Sequence, residues 1–281
     1  MGPIGIFDSG YGGLTVFKEI SNLLPQYDYI YLGDNARVPY GTRSYDTVYQ
    51  YTLECVNHLF DMGCHLVILA CNTASAKALR SIQQKDLPQR RDRRNVLGVI
   101  RPTTELIDRF TTSKHVGILA TSGTVNSQSY VLEILKFFPA ISVYQEACPM
   151  WVPLVENNEM ASAGARYFVK QHIDRLFQQS NAIDAVILAC THYPLLLPLI
   201  KEFIPKHVQV ISQGNIVAHS LADYLTRHRE MESLCTKGGN KQFFTTESIE
   251  NFNEKAGLFY GSKVEAQHLD LMNKGVSCRK I

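Results

Sequence analysis

The chain has 281 residues, of which 45% are hydrophobic, and a net charge of +2, values typical of a soluble globular protein with about two domains. This near-neutral charge does not favour nucleic acid or a membrane surface as a partner, and no apolar run approaches the roughly 18 residues that a membrane span needs. The seven cysteines are too sparse for a disulfide framework, so we expect free thiols in a reducing cytoplasm.

The first half of the chain alternates strand-like and helix-like segments. Apolar runs that end at polar residues predict strands at 3–8, 27–34, 65–71 and 96–100. Helical spacing of apolar residues predicts helices at 14–24, 42–62 and 73–84, the second of them capped by Thr42 or Ser44. A glycine-rich turn, SGYGG, separates the first strand from the first helix. This alternation is typical of right-handed βαβ units and a parallel sheet.

The second half repeats this order at an offset of about 110 to 120 residues, which is too long for a solenoid. Strands are predicted at 115–124, 141–147, 184–190 and 207–212, and helices at about 125–137 and 159–178. The segment from 213 onwards has no counterpart in the repeat, and it predicts a helix, a strand at 241–246 and a final helix. We expect it to pack on the first half, which gives a discontinuous first domain of residues 1–99 plus 211–281 and a second domain of residues 100–210.

The strongest chemical signal is a strand that occurs twice and ends on a cysteine each time. VILACNT spans 67–73, and VILACTH spans 186–192. Ligands of open α/β sheets sit at the carboxyl ends of the strands, so Cys71 and Cys190 are placed where chemistry usually occurs. A thiol has a reference pKa of about 8.5 and can exchange a proton near neutral pH. Two opposed thiols therefore predict a stereoinversion, in which one removes a proton from carbon and the other returns a proton to the opposite face.

Polar residues adjacent to both thiols could bind and orient a charged substrate. Asp8 ends the first strand, and the turn that begins at Ser9 leaves backbone N–H groups free to hold an anion. Polar pairs follow the two cysteines, Asn72–Thr73 after the first and Thr191–His192 after the second. We expect these pairs to grip a substrate carboxylate, and His192 could also serve as a base or charge partner of the second thiol.

Other interpretations of the cysteines remain open. Both could simply pack beneath a turn. The other five cysteines are expected to be small buried or incidental residues, and they are Cys55, Cys64, Cys148, Cys235 and Cys278. A thiol hydrolase needs one nucleophile and an oriented histidine, which leaves the second matched cysteine unexplained. Cys190 and His192 lack the usual spacing of zinc ligands, and no dinucleotide-binding or P-loop motif occurs, so no metal and no nucleotide cofactor is expected.

Taken in chain order, seven motifs resemble the glutamate racemase family of bacteria, within the aspartate/glutamate racemase superfamily. They are FDSGYGG (7–13), YLGDNARVPYG (31–41), ACNTAS (70–75), GVIRPT (98–103), ILATSGTVNS (118–127), CPMWVPLVE (148–156) and ACTHYPLL (189–196). Together they extend over nearly the whole chain, and the combination of DNARVPYG, ACNTAS and CTHYP is highly specific. No single motif would suffice.

The resemblance implies a cofactor-independent enzyme that interconverts L- and D-glutamate for peptidoglycan synthesis. It implies two pseudo-symmetric, flavodoxin-like α/β domains with mainly parallel sheets and an active site in the cleft between them. By this likeness Cys71 and Cys190 are the acid/base residues, Asp8 assists the first, and Glu156 and His192 assist the second. The implied substrate-binding residues are Asp8, Ser9, Pro39, Tyr40, Gly41, Asn72, Thr73, Thr121, Thr124, Thr191 and His192. A homodimer and a cell-wall precursor as effector are also implied.

Some features of the chain leave the details open. Tyr11 stands where the family commonly has a small aliphatic residue, Arg101 where it often has an acidic residue or lysine, and Ile211–Gly214 replaces a motif that usually begins with a carboxylate. The charged stretch 85–94 favours a solvated loop, with anion binding as the alternative.

Two alternative functions remain open. A racemase for aspartate or a related amino-acid derivative is the alternative enzyme, and a ligand-binding protein with an inactive site is the non-enzyme alternative.

Overall fold

The computed structural model describes residues 1–271, so Cys278 and the end of the segment from 213 lie outside the described residues. Its strands are β1 (Ile4–Asp8), β2 (Tyr29–Gly33), β3 (Leu66–Leu69), β4 (Asn95–Gly98), β5 (His115–Ala120), β6 (Ser142–Ala147), β7 (Ala185–Ala189), β8 (Gln209–Ile211), β9 (Lys241–Thr245) and β10 (Ala266–His268). Its α-helices are α1 (Leu14–Leu23), α2 (Tyr45–Asp61), α3 (Asn72–Lys77), α4 (Leu79–Ser81), α5 (Ile100–Leu106), α6 (Ser122–Asn126), α7 (Ser129–Phe137), α8 (Trp151–Glu156), α9 (Ala163–Gln179), α10 (Leu197–Phe203), α11 (Gly214–Arg227), α12 (Arg229–Glu232) and α13 (Ile249–Tyr260).

The strands form two sheets that are parallel throughout. The first sheet has the order β10-β9-β2-β1-β3-β4, and the second has the order β6-β5-β7-β8. Strands β1 to β4 therefore occupy the same relative positions as β5 to β8, which is the doubly wound order of flavodoxin-like sheets. The prediction of two pseudo-symmetric α/β units with parallel sheets is confirmed. We call the part built on the first sheet the first lobe and the part built on the second sheet the second lobe.

The segment after β8 extends the first sheet. Strand β9 pairs with β2 in parallel, and β10 pairs with β9, while helices α11 and α13 pack against α1. Strand β10 was not expected, because its three residues are partly exposed and show no apolar alternation. The chain crosses into the second lobe after β4, which ends at Gly98, and leaves it after β8, which ends at Ile211. The domain limits at 99/100 and 210/211 stay a prediction.

The helices keep their predicted order but differ in their ends. The long helix α2 begins after Ser44, whose hydroxyl accepts a hydrogen bond from the Thr47 amide at 3.2 Å, so Ser44 rather than Thr42 is the cap. The predicted helix 125–137 is two helices, because Gln128 adopts a left-handed backbone with φ of 55° between α6 and α7. The predicted helix 73–84 is likewise interrupted at Ala78, between α3 and α4.

The central strands are buried on both faces. Every residue of β1, β2, β3 and β7 is buried, which explains why these strands are continuous apolar runs rather than alternating ones. The cysteines expected to be buried or incidental, Cys55, Cys64, Cys148 and Cys235, are buried free thiols. Among residues 1–271 no helix is both long enough and apolar enough to cross a membrane.

Candidate active site

The predicted site residues follow the same pair of strands in each lobe. In the first sheet the chain turns to opposite sides after β1 and β3, and in the second sheet it does so after β5 and β7. Such switch points open a crevice at the carboxyl ends of the strands. Asp8 ends β1 and Cys71 follows β3, while Thr121 follows β5 and Cys190 follows β7. Each lobe therefore presents one cysteine at its own crevice.

Cys71 caps the amino end of α3. Its sulfur accepts a hydrogen bond from the Ala74 amide at 3.4 Å, and it lies 3.4 Å from the Ser9 hydroxyl. Burial, followed by the charge of Asp8, raises the pKa of the Cys71 thiol to about 12, and the contacts with Ser9 and Ala74 only partly oppose this rise. Cys71 is therefore a protonated thiol near neutral pH.

Cys190 has a different set of partners. His192 Nδ1 lies 3.9 Å from its sulfur, and His192 Nε2 lies 2.9 Å from Glu156 Oε1 at the end of α8. Burial alone would lower the pKa of His192, but the hydrogen bonds with Cys190 and Glu156 raise it to about 10. An imidazolium thus lies between a carboxylate and the sulfur, where it stabilises a negative charge on Cys190.

The turn after β1 packs tightly against this histidine. A Cβ atom at Gly12 would collide with Thr191 Oγ1 and His192 Nδ1, so the backbone must approach here without a side chain. On its other side, the His192 ring meets the Phe259 ring edge-on, with 5.1 Å between centroids. Phe259 lies on α13, and the sequence carried no signal that this helix would reach His192.

Asp8 offers one uncommitted oxygen. The carboxylate is fully buried, and its Oδ2 accepts a hydrogen bond from the Gly10 amide at 2.9 Å. Its Oδ1 is also buried and has no hydrogen-bond partner among residues 1–271. Burial raises the pKa of Asp8, and the nearby positive charge of His192 opposes that rise. A buried oxygen without a partner is costly, so this atom is suited to a ligand's donor group.

Three threonines from the two lobes meet at the amino ends of α3 and α6. Thr73 Oγ1 lies 2.9 Å from Thr121 Oγ1 and 3.4 Å from Thr124 Oγ1. Gly41 adjoins this threonine cluster, since a Cβ atom built on it would lie 3.0 Å from the Thr121 Cβ. Hydroxyl groups can donate or accept, so the cluster can rearrange around an anion.

A family model described as Asp/Glu/Hydantoin racemase matches residues 4–221 of the chain. The glutamate racemase of Persephonella marina is 39% identical over 270 residues, which cover 95% of this chain and 97% of that protein. The chain belongs to the glutamate racemase family. The resemblance found in the sequence motifs is thereby confirmed, and the protein is an isomerase.

Solved structures of glutamate racemases resemble this racemase over nearly its whole length. The protein from Francisella tularensis, in complex with D-glutamate, matches with a TM-score of 0.84 at 32% identity, covering 96% of this chain and 97% of that chain. The protein from Escherichia coli, in complex with L-glutamate and the activator UDP-MurNAc-Ala, matches with a TM-score of 0.73 at 26% identity, covering 95% and 98%. These likenesses confirm the two-domain fold.

The loop that carries Pro39 and Tyr40 in this racemase is held in place by a buried carboxylate, that of Asp34. Pro39 follows a cis peptide bond, and the buried Tyr40 hydroxyl donates a hydrogen bond to Asp34 Oδ2. Asp34 is itself fully buried and also accepts hydrogen bonds from Arg37 at 2.7 Å and from Thr246 at 2.9 Å. Asp34 directly follows β2, and this position was the signal that could have identified it as the residue that holds the loop.

The remaining predicted residues are also held by neighbours. The Thr191 carbonyl accepts a hydrogen bond from Thr15 Oγ1 at 2.9 Å. Both polar atoms of the Asn72 side chain are engaged, Nδ2 with Gln213 and Oδ1 with Tyr130. Sequence reasoning did not single out Gln213 or Tyr130 as site residues, because they lie far from Asn72 along the chain. Within residues 1–271 of the racemase, no group of three or more His, Cys, Asp or Glu side chains is arranged to hold a metal ion.

Proposed function

We propose that the protein interconverts L- and D-glutamate by transferring protons at Cα between the substrate and two cysteines. The observation that carries the proposal is the placement of Cys71 and Cys190 after equivalent strands of two similar sheets. A planar carbanion can be protonated on either face, so inversion requires one acid/base group on each side. The two thiols meet this requirement with no cofactor.

The two thiols have different partners. The imidazolium of His192 lies 3.9 Å from the Cys190 sulfur, so we assign the role of base to Cys190, whereas the raised pKa of Cys71 keeps its proton in place. Cys190 then removes the Cα proton and becomes a thiol, and the electron pair is delocalised into the substrate carboxylate. Cys71 donates its proton to the opposite face and becomes a thiolate. Proton exchange with water, or a turnover in the other direction, restores the starting state.

The polar groups at the site suit an amino acid with two carboxylates. We assign the substrate ammonium group to Asp8 Oδ1, since a buried carboxylate oxygen without a partner is costly and a cationic donor would satisfy it. One carboxylate fits the threonine cluster of Thr73, Thr121 and Thr124, near the backbone N–H groups at the starts of α3 and α6. The remaining predicted residues, Ser9, Pro39, Tyr40, Gly41, Asn72, Thr191 and His192, complete the proposed contacts.

A circular dichroism assay tests the substrate. Starting from either enantiomer of glutamate, the signal is expected to decay to zero, and in D₂O the product should carry deuterium at Cα. Aspartate is expected to react at least about 10-fold more slowly in kcat/KM, because one methylene shifts the second carboxylate out of register. If aspartate were racemised faster than glutamate, aspartate would be the substrate instead. Saturable glutamate binding without Cα exchange would contradict a racemase altogether.

We further propose an anionic cell-wall precursor as effector, of the kind bound by the Escherichia coli relative. A cavity of about 690 Å³ lies among α3, α5, α7 and α11. Four cationic side chains line it against two acidic ones, and the cations are Arg80, Arg101, Lys136 and Arg227. The three arginines pair with Glu133, Glu105 and Asp223. A guanidinium group binds phosphate in the same bidentate way as carboxylate, so these arginines together with Lys136 suit a diphosphate.

UDP-MurNAc-Ala is the probe for this cavity. We expect it to change kcat/KM of the racemase at least about 2-fold, and the response to be lost when Arg101 and Lys136 are both replaced by alanine, because the charges that hold the diphosphate are gone. Lys263→Ala, which alters an exposed lysine elsewhere, should keep the response. An equal response in the double variant would exclude this cavity as the binding place.

By the same family likeness, we propose that the D-glutamate produced supplies peptidoglycan synthesis in the cytoplasm, and that the protein works as a homodimer. Growth of a D-glutamate-requiring bacterial strain that expresses this chain tests the first proposal. The molar mass in solution tests the second.

A further inference from the structure

Three buried side chains from three separate parts of the chain form a closed ring of hydrogen bonds. Asn72 Nδ2 donates to Gln213 Oε1 at 2.8 Å, Gln213 Nε2 donates to the Tyr130 hydroxyl at 2.7 Å, and that hydroxyl donates to Asn72 Oδ1 at 2.6 Å. All three residues are buried, and Tyr130 is fully so. Hydrogen bonds in such surroundings are strong, and each is costly to leave unmade.

One backbone carbonyl sets the direction of the whole ring. Gln213 Nε2 also lies 3.1 Å from the Val99 carbonyl oxygen, which can only accept a hydrogen bond. The Gln213 amide must therefore turn its nitrogen towards Val99 and its oxygen towards Asn72. Asn72 must therefore donate its Nδ2 hydrogen to that oxygen, which leaves Asn72 Oδ1 to accept from the Tyr130 hydroxyl. The carboxamide of Asn72 is thus held in one of its two possible orientations.

The ring lies where the chain passes between the lobes. Val99 precedes α5, at the crossing into the second lobe, and Gln213 precedes α11, at the crossing back. Tyr130 belongs to α7 of the second lobe, and Asn72 directly follows Cys71 in the first lobe. Gln213 also reaches Thr103 Oγ1 at 3.1 Å. One side chain therefore connects both crossings with the residue adjacent to a proposed catalytic thiol.

We propose that Gln213 is a positioning residue that fixes the Asn72 carboxamide for substrate. With Oδ1 and one Nδ2 hydrogen engaged in the ring, the second Nδ2 hydrogen is the group that Asn72 can offer a substrate carboxylate. A flipped carboxamide would present oxygen to that carboxylate and repel it. This inference rests on the proposed racemisation of glutamate, since it assigns to Asn72 a contact with that substrate.

The test compares Gln213→Met with the wild-type chain and with Asn72→Ala. Methionine has a similar volume but cannot make the ring's hydrogen bonds. We expect KM for glutamate to rise about 10-fold in Gln213→Met with a smaller change in kcat, as for loss of one hydrogen bond to a charged group. In the Asn72→Ala background, Gln213→Met should have no further effect on kcat/KM, because the group that it positions is already absent.

A second variant and a control protect the test from a folding defect. Tyr130→Phe removes only the hydroxyl that donates to Asn72 Oδ1. It should raise KM by a smaller factor, because Gln213 still holds the Asn72 nitrogen, and it carries the test if Gln213→Met does not fold. Gln179→Met is the control, because Gln179 also donates to a backbone carbonyl, Gln145 O at 3.1 Å, but is exposed. Equal losses from Gln213→Met with and without Asn72, or an unchanged KM in folded Gln213→Met and Tyr130→Phe, would overturn the inference. Failure of the proposed function is distinct, because wild-type protein would then fail to racemise glutamate.

Discussion

Replacement of either Cys71 or Cys190 by alanine is expected to lower kcat/KM for glutamate racemisation at least about 10³-fold, the scale on which acid/base groups act. The enantiomers have equal free energy, so kcat/KM must fall equally in the two directions. The reason is geometric. Each thiol lies in its own lobe after an equivalent strand, and in the proposed mechanism each thiol serves one face of Cα, so neither can replace the other.

Deuterium incorporation separates the two half-reactions. In Cys71→Ala, the contact between Cys190 and His192 remains, so one enantiomer of glutamate is expected to exchange its Cα proton with D₂O without inversion. In Cys190→Ala, any residual exchange should occur with the other enantiomer. Cys235→Ala is the matched control, since Cys235 is a buried cysteine whose sulfur donates a hydrogen bond to the Met231 carbonyl in α12. Full inversion by either active-site variant would refute the two-thiol mechanism.

His192→Asn is expected to lower kcat/KM about 10²-fold by removing the imidazolium beside the Cys190 sulfur, the proposed base. Proton removal by Cys190 then limits the rate. With Cα-deuterated substrate, the primary isotope effect should therefore increase for the enantiomer that Cys190 deprotonates and decrease for the other. His115→Asn is the control, because His115 contacts Tyr144 at the far end of β5. Equal isotope effects for both enantiomers of the variant would contradict this assignment of His192.

The pH dependence of this site follows from the raised pKa of His192, about 10 against an ordinary value of 6.5. A pKa raised by folding means that the charged form stabilises the native state. This stabilisation is complete below pH 6.5, diminishes above it, and is lost as pH rises through about 10. The activity of the wild-type protein should decline as pH rises through about 10, whereas the activity of His192→Asn should show no such decline. A thermal melt and a rate profile between pH 7 and 11 measure both effects.

Much of the fold was predictable because its signals are local. Continuous apolar runs such as the one before Cys71 mark buried parallel strands wherever they occur, and their repetition marked the second lobe. The boundaries were less accurate where one residue decides them, as at Gln128, whose left-handed backbone divides a predicted helix. Strand β10 was missed because its pairing with β9 provides the only reason for it to be extended.

The sequence by itself determined the order of strands and helices, the repeat, both cysteines and the family, since these depend on residue type and short-range spacing. The family resemblance named Asp8, Glu156 and His192 as helpers of the thiols, and only the tertiary structure decided the contacts through which residues distant in the chain meet. Glu156 meets His192 across 36 residues, and Gln213 meets Asn72 across 141. Such contacts arise where the ends of two sheets and the crossings between lobes are packed together, and no periodicity in the chain records them. The two strands are nearly alike in sequence, and their different chemistry comes from what the fold places around each sulfur.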